Sequence, residues 1–193
     1  KKGLKFCLIF STILFLVFHN NFNRLEKEEI IFFSLKKPFI LIHKEGKGIV
    51  VTSNMVENPS FYKSTFYKLL RERKIKIENI IFVENTSLEN LVFILKYCKN
   101  IYIPENILKP PKFTDETIKT YSPNDKIILD NFIFLFEKNT LLIKYNHFKF
   151  LIILDENFEN SITKDGCFLI YPAKFKKNKK NEEIINNLKP LFL

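Results

Sequence analysis

The sequence predicts an α/β domain, and three observations carry that reading. Short apolar runs rich in β-branched and aromatic residues recur along the chain, as at Ile80-Ile81-Phe82-Val83 and from Phe132 to Glu137. Two stretches set apolar residues at helical spacing, one from Pro59 to Arg73 and one from Ser87 to Cys98. Hydrophobic residues form 46% of a 193-residue chain, which is enough to build a core.

The chain opens with Lys1, Lys2 and Lys5 and continues into Phe6 to Phe18, interrupted only by Ser11 and Thr12. At about 1.5 Å per residue this run covers about 20 Å, so Leu4, His19 and Phe22 must extend it to cross a hydrocarbon layer of about 30 Å. A transmembrane helix, a signal-peptide core and a buried helix all fit the pattern. No small-x-small cleavage site follows Phe18, and the first residue is Lys. We therefore expect a transmembrane or signal-anchor helix over residues 1–20, the last such helix of a longer protein, and a polar linker over 21–29. Lysines ahead of the helix place that end in the cytoplasm, so the expected location is the cell membrane with an extracytoplasmic domain.

The domain is expected over residues 30–193. Ile30 to Phe33, Pro38 to His43 and Gly48 to Thr52 read as strands, with a tight turn from Lys44 to Gly48. Phe61, Phe66, Leu69 and Leu70 give one face of the first helix. A turn-prone segment from Lys74 to Asn79 leads into the strand Ile80 to Val83. Its loop, Glu84-Asn85-Thr86, precedes a helix capped by Ser87, and loops after strand carboxyl ends are where open α/β sheets bind ligands. Ile101 to Ile103 is the next strand, and Pro110-Pro111 divides the domain into halves of about 30–109 and 112–193. Ile118 to Tyr121, Ile127 to Leu129, Phe132 to Glu137, Leu141 to Tyr145, Phe148 to Leu154 and Gly166 to Pro172 are strands of the second half.

The formal net charge is +10, of which Lys1, Lys2, Lys5 and Arg24 supply four and residues 25–193 the remaining six. A surplus of this kind favours polyanions, although a Lys-, Ile-, Asn- and Phe-rich composition also reflects AT-rich coding and a solvated surface. The run Lys174, Lys176, Lys177, Lys179 and Lys180, with Phe175 inside it, reads as a phosphate-tracking patch beside an aromatic or as a solvated loop before a short helix from Glu182 to Leu188. Cys7, Cys98 and Cys167 are isolated and read as free thiols. His19, His43 and His147 are scattered, without the convergence a metal site needs. No Gly-x-Ser-x-Gly elbow or Gly-rich phosphate loop occurs.

The order strand Ile-Ile-Phe, polar loop, helix Ser-Leu-Glu-Asn-Leu-Val-Phe-Ile-Leu resembles the first metal-binding segment of the metallo-β-lactamase fold, in particular the C-terminal domain of ComEC-type DNA-internalisation proteins. The resemblance implies an αββα sandwich. It also implies a His-x-His-x-Asp-His cluster that binds two zinc ions, and residues 84–90 read Glu-Asn-Thr-Ser-Leu-Glu-Asn instead. Leu35-Lys36-Lys37-Pro38 and Thr52-Ser53-Asn54 stand where the family has a Gly-Gln-Gly-Asp turn and an Asp-x-Gly element. Tyr171-Pro172-Ala173 stands in place of its His-His-Gly loop. Asp155 alone matches a family ligand by position, and it also reads as a turn carboxylate beside Glu156 and Asn157. No metal cofactor is therefore expected. The function expected is a membrane-anchored, catalytically inactive domain of a DNA-uptake protein, with DNA, the membrane and a transmembrane channel domain as partners. An active metal-dependent hydrolase or nuclease and an anchored α/β domain that binds a protein partner are the alternatives.

Overall fold

The computed structural model describes residues 28–33, 38–53, 61–83, 98–106, 117–137, 139–154 and 167–170. Eleven strands in these segments form two sheets. The first contains β1 (Glu29–Phe33), β2 (Phe39–Lys44), β3 (Lys47–Thr52), β4 (Lys76–Phe82), β5 (Asn100–Pro104) and β6 (Ile118–Tyr121), side by side in chain order. β1, β2 and β3 pair antiparallel, and β3 to β6 run parallel. The second contains β7 (Lys126–Leu129), β8 (Phe132–Glu137), β9 (Thr140–Tyr145) and β10 (Phe148–Ile153) as an antiparallel meander, with β11 (Phe168–Ile170) parallel to β10 at its edge.

Alternation decides which face each strand buries. On the first sheet, Ile40, Ile42, Ile49, Val51 and Ile81 face Phe132, Phe134, Phe136, Leu141, Ile143 and Ile152 of the second, and together they form an inter-sheet core. The opposite face of the first sheet buries Phe39, Leu41, Val50, Ile80, Phe82, Ile101 and Ile103. A helical segment covers it, with a wider π-helical turn at Tyr62–Phe66 running into α1 (Tyr67–Glu72). Tyr62 and Phe66, four residues apart and on one face, both pack against Phe39 at ring distances of 5.8 and 5.0 Å and edge-on angles.

Two expectations need correcting. β4 begins at Lys76, so most of the segment read as turn-prone, from Lys76 to Asn79, is strand. The signal was there as alternation, since Ile75 and Ile77 are buried while Lys76 is exposed. Likewise β6 follows Pro110-Pro111 but pairs with β5, so the change of sheet falls after Tyr121 and the halves divided at the proline pair do not coincide with the sheets. The expected helix over residues 1–20 and the linker up to Lys27 lie outside the described residues, as does the helix from Ser87. Among the described residues no helix is long and apolar enough to cross a membrane.

Turns behave as their residues dictate. Glu45 and Gly46 both take positive φ, 51° and 76°, between the paired ends Lys44 and Lys47, which is the two-residue hairpin geometry that matches strand twist. Asp130, Asn139 and Asn146 take φ of 50°, 61° and 51° at the β7–β8, β8–β9 and β9–β10 hairpins, where short polar side chains tolerate that region best.

Candidate functional site

The parallel strands β4, β5 and β6 all end on the same side of the sandwich, where β8 also ends and β9 begins. A cleft of about 520 Å³ opens there between the two sheets, lined by Val83, Glu105, Tyr121, Glu137, Asn139 and Leu154 among others. Its position is the one expected for a ligand site in a sheet of parallel strands.

Backbone bonds fix the rim. Val83 N–H donates to the Thr52 carbonyl at 3.0 Å, Glu105 N–H to the Tyr121 carbonyl at 3.0 Å, and Leu154 N–H to the Asn139 carbonyl at 2.9 Å. Tyr121 ties the sheets together: its ring lies 4.2 Å from that of Phe136, and its hydroxyl donates to the Phe82 carbonyl. Burial pushes the Tyr121 phenol well above its ordinary value, so at neutral pH it is a hydrogen-bond donor and not a base. Glu105 is exposed, Glu137 is half-buried, and the described lining contains neither lysine nor arginine.

The residues singled out from sequence fall into two groups. Asp155 and the basic set Lys174, Lys176, Lys177, Lys179 and Lys180 lie outside the described residues, as do loop 84–90 and Tyr171-Pro172-Ala173. Leu154, immediately before Asp155, is in the cleft wall. Thr52 and Ser53 are buried at 0% exposure where the resemblance places Asp-x-Gly, and their hydroxyls have no partner among the described residues. Sequence reasoning missed Glu105, Tyr121 and Glu137. The available signal was that each closes or directly follows a strand, the rule already applied to Glu84.

The described histidines are elsewhere. His43 pairs in register with Gly48 and Glu29, at the end of the first sheet away from the cleft, and His147 lies in the turn between β9 and β10 at the matching end of the second. His43 is buried, with its Nε2 3.3 Å from a Glu29 carboxylate oxygen and 3.5 Å from the Arg73 guanidinium, which also pairs with Glu29. It holds β1, β2 and the end of α1 together. Nearby, the Lys44 ammonium is raised above its ordinary value by its hydrogen bond to Glu28, with Glu45 and Asp130 adding to the field. Asp130 belongs to the second sheet's β7–β8 hairpin.

A zinc pair of the kind the resemblance implies needs imidazole donors with a carboxylate between them. The described cleft offers the carboxylates of Glu105 and Glu137, amides and a phenol already donating to a carbonyl. These residues do not fit that group.

No family model matches the chain, and no curated protein matches it in sequence. Among solved structures it is similar to a metallo-β-lactamase from Staphylococcus aureus (13% identity, TM-score 0.47, covering 76% of this chain and 47% of that one). It is also similar to the metallo-β-lactamase fold protein YhfI from Bacillus subtilis (9%, 0.47, 69% and 62%) and to the β-hydroxylase CmlA (13%, 0.49, 85% and 45%). The chain thus spans less than two thirds of each. With identities this low and TM-scores under 0.5, these likenesses carry nothing about chemistry, and the architecture stands on the strand order and registers above.

Proposed function

We propose that this chain is a membrane-tethered domain of metallo-β-lactamase-like architecture that serves DNA uptake of the ComEC type by contact, without hydrolysis. One observation carries the non-hydrolytic part: His43 and His147 stand at the far end of the sheets from the cleft, while loop 84–90, which follows β4, contains no histidine. The remaining histidine, His19, adjoins the apolar N-terminal run. The DNA-uptake part is supported by the resemblance of segment order and by the basic run from Lys174 to Lys180, with passage of DNA left to a transmembrane channel partner. The tether is supported by the apolar run Phe6 to Phe18.

The test uses the full chain in detergent, with zinc or manganese supplied. The expected result is no stoichiometric metal, no DNA cleavage, and DNA binding that weakens steeply with salt as condensed counterions are released. Stoichiometric metal together with cleavage establishes the hydrolase reading instead. Absence of DNA binding at low salt leaves the protein-partner reading.

A further inference from the structure

The end of the sandwich opposite the cleft carries a charge pattern that none of the chemistry above uses. Lys44 pairs with Glu28 at 2.6 Å, and Arg73 with Glu29. Lys47, Lys74 and Lys76 are exposed and have no ion-pair partner among the described residues, and they share this end with the exposed acids Glu45 and Asp130. Lys47 and Lys76 are neighbours in the β3–β4 register, and Lys76 N–H donates to the Gly46 carbonyl at 2.7 Å, which sets them on one rim. Like charges held side by side in a folded protein gain from an external polyanion.

The same end has an exposed aromatic. Phe148, at the start of β10, is 51% exposed, with its ring 6.2 Å from Phe168. A half-exposed phenylalanine at the same end of the strands as exposed lysines suits a lipid interface, where the ring enters the headgroup layer and the ammonium groups stay with the phosphates. The chain also arrives at this end. β1 starts at Glu29, opposite His43, and residues 19–28 separate it from the apolar run Phe6 to Phe18. Ten extended residues reach at most about 36 Å.

We propose that this end, through Lys47, Lys74, Lys76 and Phe148, lies on an anionic lipid surface, so that the cleft faces away from the membrane. The proposal rests on the tether of the preceding reading and adds an orientation and a lipid chemistry to it. An anionic bilayer is favoured over DNA because duplex phosphates give an exposed phenylalanine no apolar contact, whereas a headgroup layer does.

The chain contains no tryptophan, so a single one reports its own surroundings. Full-length F148W is reconstituted in vesicles of phosphatidylglycerol with phosphatidylcholine, and in phosphatidylcholine alone, with brominated lipids as quenchers. N106W, at an exposed position on the cleft rim, is the reference. Flotation with the neutral vesicles reads the tether alone and so separates its failure from failure of the orientation. The expected result is blue-shifted, quenched F148W emission in anionic vesicles, reduced roughly tenfold in effect by high salt or by K47E/K76E, and N106W unchanged throughout. Both lysines are exposed, so the double variant keeps the fold, as its urea midpoint checks. F148W emission indifferent to anionic lipid, N106W quenched as strongly, or F148W responding to duplex DNA and not to vesicles would each overturn the proposal.

Discussion

The two ends of the sandwich are made from the same strands and carry different chemistry. At the cleft end the parallel strands stop together, the described lining holds Glu105 and Glu137, and a buried tyrosine bolts one sheet to the other. At the far end the β2–β3, β7–β8 and β9–β10 hairpins close, exposed lysines share the rim with Glu45 and Asp130, and His43 is locked between Glu29 and Arg73. Both described imidazoles, His43 and His147, stand at the end away from the cleft. The lesson is that strand topology fixes where a cleft opens, while the side chains that make it reactive are a separate endowment.

The largest contrast expected is between two phenylalanines. Phe136→Ala removes a ring packed on Tyr121 inside the inter-sheet core and should cost about 3–5 kcal/mol in urea unfolding. Phe148→Ala, at the far end, should cost under about 1 kcal/mol because half its surface is already in water. Equal costs would mean the far end is packed in a way its exposure does not show. Next in size is Gly48→Ala. A β-carbon there would lie 2.7 Å from Ile77 Cδ1 and 2.8 Å from Ile75 Cγ2, beside the register shift between β3 and β4, and overpacking of this kind costs about 1–3 kcal/mol. A neutral outcome would show that the far rim yields easily.

The smallest effect separates the ends by pH. Burial raises the Tyr121 phenol above 10.0 and the Cys98 thiol from 9.0 to about 12. Both groups are neutral when folded and ionise more readily when unfolded, so their contribution is fully present below about pH 9 and is lost as the pH rises through the raised values. Urea midpoints should therefore fall above that pH. Y121F should lessen the alkaline loss, whereas E29Q at the far end should leave its slope unchanged, and a Y121F slope equal to that of the parent would assign the loss to Cys98.

Much of the fold was legible because alternation and turn residues agree locally. Asp130-Asn131 and Asn146-His147 sit at hairpins where the sequence predicts turns, and Ile118 to Tyr121 is a strand with the bounds expected. What escaped was long-range. Nothing in Ile-Lys-Thr-Tyr says that it pairs with β5 instead of joining the meander that follows, because the partner is chosen by packing across the sheet. The site was harder still. Glu137 reads as the polar end of an alternating strand, and its place beside Glu105 follows only from how two sheets are stacked.

Chain order and sheet membership coincide in this molecule: every described strand up to Tyr121 belongs to one sheet and every one from Lys126 onward to the other. Only the turn through Ser122, Pro123, Asn124 and Asp125 joins them, with Pro123 and Asn124 exposed. Among the described residues the polypeptide is therefore divisible at one accessible turn into two complementary pieces, each keeping its own ladder intact and meeting the other through the side-chain core and the Asp125 N–H bond to the Ser122 carbonyl.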